Sequence, residues 1–338
     1  MREDTEGFQY PEIDPLKCIR CGKCINGCDF KSSVKKKAYE KKTEIYAVKA
    51  KNKNIRKISS SGGAFILLSD YILSQGGVIA GSVYDYSSHT MNFKIIHNEE
   101  ERQQAIGSKY LQSNLGNIYQ ECLQWVQNNP EKKLLFIGMG CQAGAFQKFA
   151  QQKSIREKVI IVDMVCHGVP SPKMWKEYAG YLENKNRGNI SYLTFKDKRN
   201  GWNHPTAMAI VNEKEILLRD YIRIFNSGMA LRPSCHKCPY TCIERSVDIT
   251  IGDFWGIEKT HPEFVSELGV SILMTHSKIG KEIFEKVKDK FSWIQTSEKE
   301  CLQSQLYHPT EVSEIRETFW KEYQSHGIQY VMHKYGNI

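Results

Sequence analysis

The stretch KLLFIGMGCQAGAFQKFAQQKSIREKVIIVDMVC, residues 133–166, holds two short apolar runs, KLLFIGM and VIIVDMVC, on either side of GCQAGAFQKFAQQ. The runs have the length and the Val, Ile, Leu and Phe content of buried strands, and the segment between them has the length of a helix. Strand, helix, strand in that order is the repeating unit of a parallel sheet. Outward from this core the alternation continues. VIAGSVYD (78–85) reads as a strand, and SPKMWKEYAGYLEN (171–184) as a helix. SSSGGAFILLSDYILSQGG (59–77) reads as a Ser/Gly-capped helix with Phe65, Leu68, Ile72 and Leu73 on one face. SYLTFKD, AMAIVN and EILLRD, between 191 and 220, read as shorter strands of antiparallel type, and DITIGDFWG and GVSILMTHS as two more. From Lys278 onward the pattern is mainly helical. The expectation is an α/β body built on a mixed sheet, preceded by a small cysteine-bearing segment.

In an α/β sheet the carboxyl ends of neighbouring strands face a common crevice where ligands bind. Cys141 follows the first strand of the quoted stretch and Cys166 ends the second, so the two are expected to be neighbours there. SCHKCPYTC adds Cys235, Cys238 and Cys242 from a later loop. Four thiolates from three loops would make an iron–sulfur cubane; zinc or buried thiols are the plainer alternatives. Near the N-terminus CIRCGKCINGCDF sets Cys18, Cys21, Cys24 and Cys28 at the spacing of a bacterial-type [4Fe–4S] ligand string, with Asp29 and Phe30 where a proline is usual. The string occurs once, and in two-cluster proteins its last cysteine serves the other cluster. Cys28 is therefore an awkward fourth ligand. Cys122 and Cys301 fall in helical stretches and read as structural.

Eleven cysteines in 338 residues, with an acidic, polar N-terminus and no apolar run near the roughly 18 residues of a membrane span, point to metal or redox use in a cytoplasmic protein. The formal charge of +9 is concentrated between Lys31 and Lys57, in KSSVKKKAYEKKTEIYAVKAKNKNIRK. That segment reads as a basic, partly helical connector: a solvated face, or a surface for an acidic redox partner. Without interleaved aromatic residues or a known module it does not suggest nucleic-acid binding. The expected organisation is 1–45 as ferredoxin-type segment and linker, 46–130 and 131–295 as the two parts of the body, and 296–338 as a helical tail.

EGFQYPEIDPLKCIRCGKC, ISSSGGAF, GSKYLQS, FIGMGCQ, DMVCHGVPSPKMW, FKDKRNGW and LRPSCHKCPYTCIERSVDITIGDFWG are spread in order over residues 6–256. Jointly they resemble the β subunit of coenzyme F420-reducing hydrogenase and its dehydrogenase relatives, in the bacterial branch with a ferredoxin-like N-terminus. The resemblance implies an FAD- and [4Fe–4S]-dependent oxidoreductase that exchanges electrons with ferredoxin or another redox protein and with an organic or deazaflavin acceptor. It makes Cys141, Cys166, Cys235 and Cys238 the ligands of an inner cluster. It suggests Ser59, Ser60, Ser61, Gly62, Gly63, Lys109, Gly138 and Trp255 as flavin contacts. His167, Lys109 and Asp253 are catalytic candidates. Relatives carry one more C-x₂-C-x₂-C string ahead of GFxYPxID, so the chain is expected to be truncated at its N-terminus, which leaves the Cys18–Cys21–Cys24 cube short of a ligand. An electron-relay subunit without its own substrate, or a truncated member with impaired cluster binding, is the alternative.

Overall fold

The computed structural model describes residues 1–26 and 43–336; Cys28 and most of the basic connector lie outside them. The strands are β1 Arg2–Glu3, β2 Gln9–Tyr10, β3 Glu44–Ala50, β4 Val78–Asp85, β5 Thr90–Ile96, β6 Ser113–Asn114, β7 Leu134–Met139, β8 Val159–Met164, β9 Ile190–Asp197, β10 Thr206–Val211, β11 Lys214–Leu217, β12 Ile249–Asp253, β13 Ser271–Thr275 and β14 Phe291–Thr296. The helices are α1 Lys23–Asn26, α2 Lys53–Ile58, α3 Ala64–Ser74, α4 Glu99–Gln103, α5 Ile118–Asn128, α6 Gly140–Gln152, α7 Pro172–Asn186, α8 Arg219–Asn226, α9 Ile257–Thr260, α10 Lys278–Val287 and α11 Arg316–Gly336, the last broken at Gly327.

Nine strands form one mixed sheet in the order β14-β3-β13-β12-β8-β7-β4-β5-β6. Its centre, β12-β8-β7-β4, is parallel, and antiparallel pairs flank it. The expected strand–helix–strand unit is β7-α6-β8, paired from Leu134↔Val159 to Met139↔Met164. The first five residues of β7 and of β8 are buried because α3 and α10 cover one face of the sheet and α5 and α6 the other. A second, three-stranded antiparallel sheet, β11-β10-β9, packs with α7, α8 and α11 around Trp175, Tyr178 and Tyr221. Cys122 and Cys301 are fully buried among apolar side chains.

One expectation is corrected. The basic connector does not run unbroken to Lys57: Glu44–Ala50 is an inner strand, hydrogen-bonded to β13 on one side and β14 on the other. The apolar run IYAV was hidden by lysines on both flanks, and one of them, Lys49, turns its ammonium to the carbonyl of Phe264 (2.9 Å). The region after Lys278 is mainly helical, as expected, with one interruption: Phe291–Thr296 forms the edge strand β14. Its outer residues are partly exposed, so its periodicity is weakly hydrophobic and easily missed.

The N-terminus is held against the body. Asp4 Oδ1 accepts the N–H groups of Glu6 (3.0 Å) and Phe8 (2.8 Å), closing the β1–β2 turn. Phe8 is fully buried beside Trp320. The Glu6 carboxylate meets Arg316 (2.8 Å), and Arg232 lies over the Tyr10 ring at 4.3 Å while donating to Gln9 O (2.8 Å). Beyond this clasp Leu16 and Ile19 are almost wholly exposed. Among the described residues, no helix is long and apolar enough to cross a membrane.

The strand assignment of 44–50 is testable by thermal unfolding. Val48 is fully buried, so Val48→Asp leaves an unpaired charge in the sheet. The expected loss is more than about 4 kcal/mol. Lys51→Asp, on an exposed residue just past the strand, should change stability by less than about 0.5 kcal/mol.

Candidate functional site

The carboxyl ends of β7, β8 and β12 open onto one cavity of about 720 Å³. That is within the roughly 300–1,000 Å³ typical of cofactor and small-molecule sites. Its walls bring together Ser59, Ser60, Ser61, Gly63, Lys109, Gly138, Cys166, His167, Asp253 and Trp255. Gly62 is absent from the lining. Its N–H is donated to Ser271 Oγ (2.9 Å), and a Cβ there would stand 2.3 Å from Val48 O, so this glycine serves close packing of the loop on the sheet.

Four thiols gather beside this cavity from three segments. Cys141 is the second residue of α6, where β7 ends; Cys166 lies two residues past β8; Cys235 and Cys238 come from the loop after Arg232. A Cβ on Gly168 would lie 3.3 Å from Cys235 Cβ, so the Cys166 turn and the Cys235 loop touch. Each thiol responds to its neighbours. Burial pushes Cys141 up to about 12, with Cys238 and Cys235 adding repulsion. Burial also raises Cys166, where Cys235, Cys141 and Cys238 contribute. Cys235 and Cys238 are raised as well, again first by burial. Cys141 is exposed yet deeply surrounded, the position of a side chain facing a recess rather than open surface. Among the described residues, no three His, Cys, Asp or Glu side chains converge tightly enough to hold a single metal ion. Cys18, Cys21 and Cys24 are exposed on the segment beyond the N-terminal clasp.

Lys109 is the cavity's cation. Its ammonium donates to the carbonyls of Ile106 (2.9 Å) and Gly107 (3.1 Å), and burial alone pushes its pKa down to about 8. No carboxylate contributes to that shift, so its charge is uncompensated among the described residues. On the same cavity, α3 starts at Ala64 after Gly63, which takes the left-handed φ of +93°. Gly63, Ala64, Phe65 and Ile66 line the cavity, and the first N–H groups of a helix have no intrahelical acceptor. The serine hydroxyls are already engaged: Ser59 donates to Ile55 O, Ser61 to Val270 O, and Ser60 accepts from Ser108 N. In this loop the backbone N–H groups and the Ser60 hydroxyl, which accepts from Ser108 but keeps its own proton, are the donors available to an anion.

Asp253 and Trp255 sit at the end of β12. Trp255, 36% exposed, stacks on buried Trp202 with centroids 4.6 Å apart and planes 7° from parallel. Trp202 Nε1 donates to Asp253 Oδ1 (2.7 Å), and Lys196 forms a close ion pair with the same oxygen while lying 4.6 Å from the Trp255 centroid. Asp253 is thus spent on Lys196 and Trp202, which makes it a support for the tryptophan ledge rather than a free base. His167 is also engaged at both nitrogens. Nε2 faces Phe225 O (3.3 Å), and Nδ1 faces Gln305 Nε2 (3.4 Å) and Thr310 Oγ1 (3.2 Å). Burial lowers its pKa, which keeps the ring neutral.

Sequence reasoning missed Lys196 and Trp202, although both stand in FKDKRNGW, and it missed Gln303, Gln305 and Thr310, which have no motif around them. Gln303 and Gln305 line the cavity from a segment past residue 300.

The family model that describes the C terminus of the coenzyme F420 hydrogenase/dehydrogenase beta subunit matches residues 131–300, half of the chain. That span contains β7, β8 and β12 and all four clustered thiols. No curated protein matches the sequence. Among solved structures, a chain of the xenon-derivatised F420-reducing [NiFe] hydrogenase complex from Methanosarcina barkeri is 18% identical, with a TM-score of 0.50 over 86% of this chain and 90% of that one. That likeness is one of fold. Together with the family match, it identifies the chain as a member of the coenzyme F420 hydrogenase/dehydrogenase beta subunit family.

Proposed function

We propose that the protein is an iron–sulfur flavoprotein oxidoreductase, with Cys141, Cys166, Cys235 and Cys238 holding an inner [4Fe–4S] cluster and the adjoining cavity holding FAD. The observation that carries this reading is the gathering of four mutually interacting thiols at the edge of a cofactor-sized cavity that Cys166 itself lines. The donor set fits: soft thiolates favour iron–sulfur clusters or zinc. The corners of a cubane are further apart than the ligands of one ion. That agrees with thiols close enough to repel one another but not close enough to chelate a single metal. The cavity fits an anionic planar cofactor, because it offers an uncompensated Lys109, the N-terminus of an eleven-residue helix and an aromatic ledge at Trp255.

A cluster beside a flavin converts one-electron deliveries into two-electron, hydride-type chemistry. The chain's residues have separable tasks around that chemistry. Lys109 and the first turn of α3 bind the phosphate end, and Trp255, held flat by Trp202, Lys196 and Asp253, packs against a ring. His167 stays neutral and, tied to Phe225 and Thr310, orients the turn that presents Cys166. Cys18, Cys21 and Cys24 stand exposed where a ferredoxin-type donor reaches them, with the fourth position open to Cys28 or Cys242. The final acceptor is an organic molecule or a deazaflavin, and the setting is cytoplasmic. A second reading, a relay subunit without its own substrate, is favoured by the likeness to a chain of a multi-subunit hydrogenase complex.

Anaerobically reconstituted protein should show flavin absorption and about four to eight iron atoms per chain. Cys141→Ser and Cys238→Ser should each remove the inner cluster's iron while leaving the fold's circular dichroism intact; a colourless protein with zinc alone refutes the assignment. With reduced viologen as donor, turnover of an added deazaflavin or quinone by the isolated chain supports the enzyme. Reduced cofactors without turnover support the relay.

Binding of FAD should weaken as pH rises through about 8. Lys109 is cationic below that value and neutral above it, so the attraction to phosphate is lost on the alkaline side. Lys109→Met should bind FAD at least about tenfold more weakly at pH 7, with the pH dependence flattened. An unchanged dissociation constant in a fluorescence titration removes Lys109 from the site.

A further inference from the structure

We propose that the buried Arg245–Asp163 ion pair is the positioning device of the thiol site and sets the reduction potential of the cluster held there, Arg245 raising it and Asp163 lowering it. This rests on the cluster reading above and assigns a role to two residues outside the ligand set.

The pair is closed off from solvent, with Arg245 2% and Asp163 0% exposed, and Arg245 Nη1 donates to Asp163 Oδ2 at 2.9 Å. It touches all three cysteine-bearing segments. Arg245 Nη1 also donates to Met164 O (3.3 Å), two residues before Cys166. Arg245 Nε donates to Cys242 O (3.1 Å), which closes the Cys238 loop. Asp163 Oδ2 lies 3.3 Å from where a Cβ on Gly140 would stand, beside Cys141. A buried ion pair is a poor device for stability alone, since desolvation offsets much of the attraction. Its place at the junction of these segments points to another use.

The rest of Asp163 is accounted for. Thr250 Oγ1 donates to Asp163 Oδ1 (2.5 Å), so His276 Nε2–H donates to Thr250 (2.8 Å) and His276 Nδ1 accepts from Thr43 (3.1 Å). Burial holds His276 near a pKa of about 3, so the chain from Thr43 to Asp163 carries no second charge. The pair is then the fixed charge couple beside Cys238, while Arg232 acts on Cys235 from the other end of the loop. Cys238 feels both members, Arg245 more strongly than Asp163. Reduction of a cluster by one electron from an external donor adds one negative charge, which a guanidinium favours and a carboxylate opposes. The low local dielectric makes both effects large.

The test is a mediated potentiometric titration with dithionite, followed by electron paramagnetic resonance. It uses the reconstituted full chain carrying Cys18→Ser and Cys21→Ser, so that only the inner cluster reports. Arg245→Gln should lower the midpoint and Asp163→Asn should raise it. Each should change the reduced-to-oxidised ratio about tenfold at fixed potential, 59 mV for a one-electron couple. The double variant should return towards the parent, and Arg245→Lys should stay near it. Unchanged potentials, or shifts of both single variants in one direction, overturn the proposal while leaving the cluster in place. If Gln at 245 prevents iron loading, the remaining two variants decide: Lys must keep the parent potential and Asn must raise it, and any other result overturns the proposal. Failure of the parent chain to take up iron would instead defeat the cluster reading itself.

Discussion

The parallel pairing of β7 with β8 is the constraint on which the site depends. Its register sets Met139 opposite Met164, so the two chain segments leave the sheet side by side and in the same direction. One turns directly into α6 and presents Cys141; the other runs on to Cys166. An antiparallel pairing, or a slip that separated the strand ends, would send the thiols apart. β12, parallel to β8 at Ile249↔Val162, then delivers Asp253 and Trp255 to the same edge. Sheet order, rather than any local motif, makes one crevice of residues more than a hundred positions apart.

Around that crevice the charges are arranged unevenly. Asp163 and Asp253 each have a cationic partner, Arg245 and Lys196, whereas Lys109 has only carbonyls. The anions are matched within the protein and one cation is not. That imbalance leaves one unmatched positive charge in the cavity wall. It also explains why burial lowers the Lys109 pKa without resistance from a counter-ion.

The parts of this design legible in the sequence were those with local periodicity or short spacing. KLLFIGM and VIIVDMVC announced two neighbouring parallel strands, and the cysteines after them could be placed in one crevice by topology alone. The strand at 44–50 was obscured because flanking lysines made its neighbourhood look like a solvated connector. The serines of SSSGGAF do line the cavity, but Ser59 and Ser61 donate their hydroxyls to backbone carbonyls, and only Ser60 keeps its proton. No local pattern distinguishes a free hydroxyl from one bound to a carbonyl 209 residues away, as Ser61 is. Lys196, Trp202 and Gln303 reach the site only through tertiary packing, which spacing does not encode.

The clasp of the N-terminus has a further consequence. Tyr10 is fixed against Arg232, three residues ahead of Cys235, and Cys18 follows Tyr10 by eight residues. Fully stretched, eight residues span at most about 28 Å. The first cysteine string is therefore leashed to the inner thiols. Whatever path residues 11–17 take, Cys18 stays within that radius of the residue that anchors the Cys235 loop.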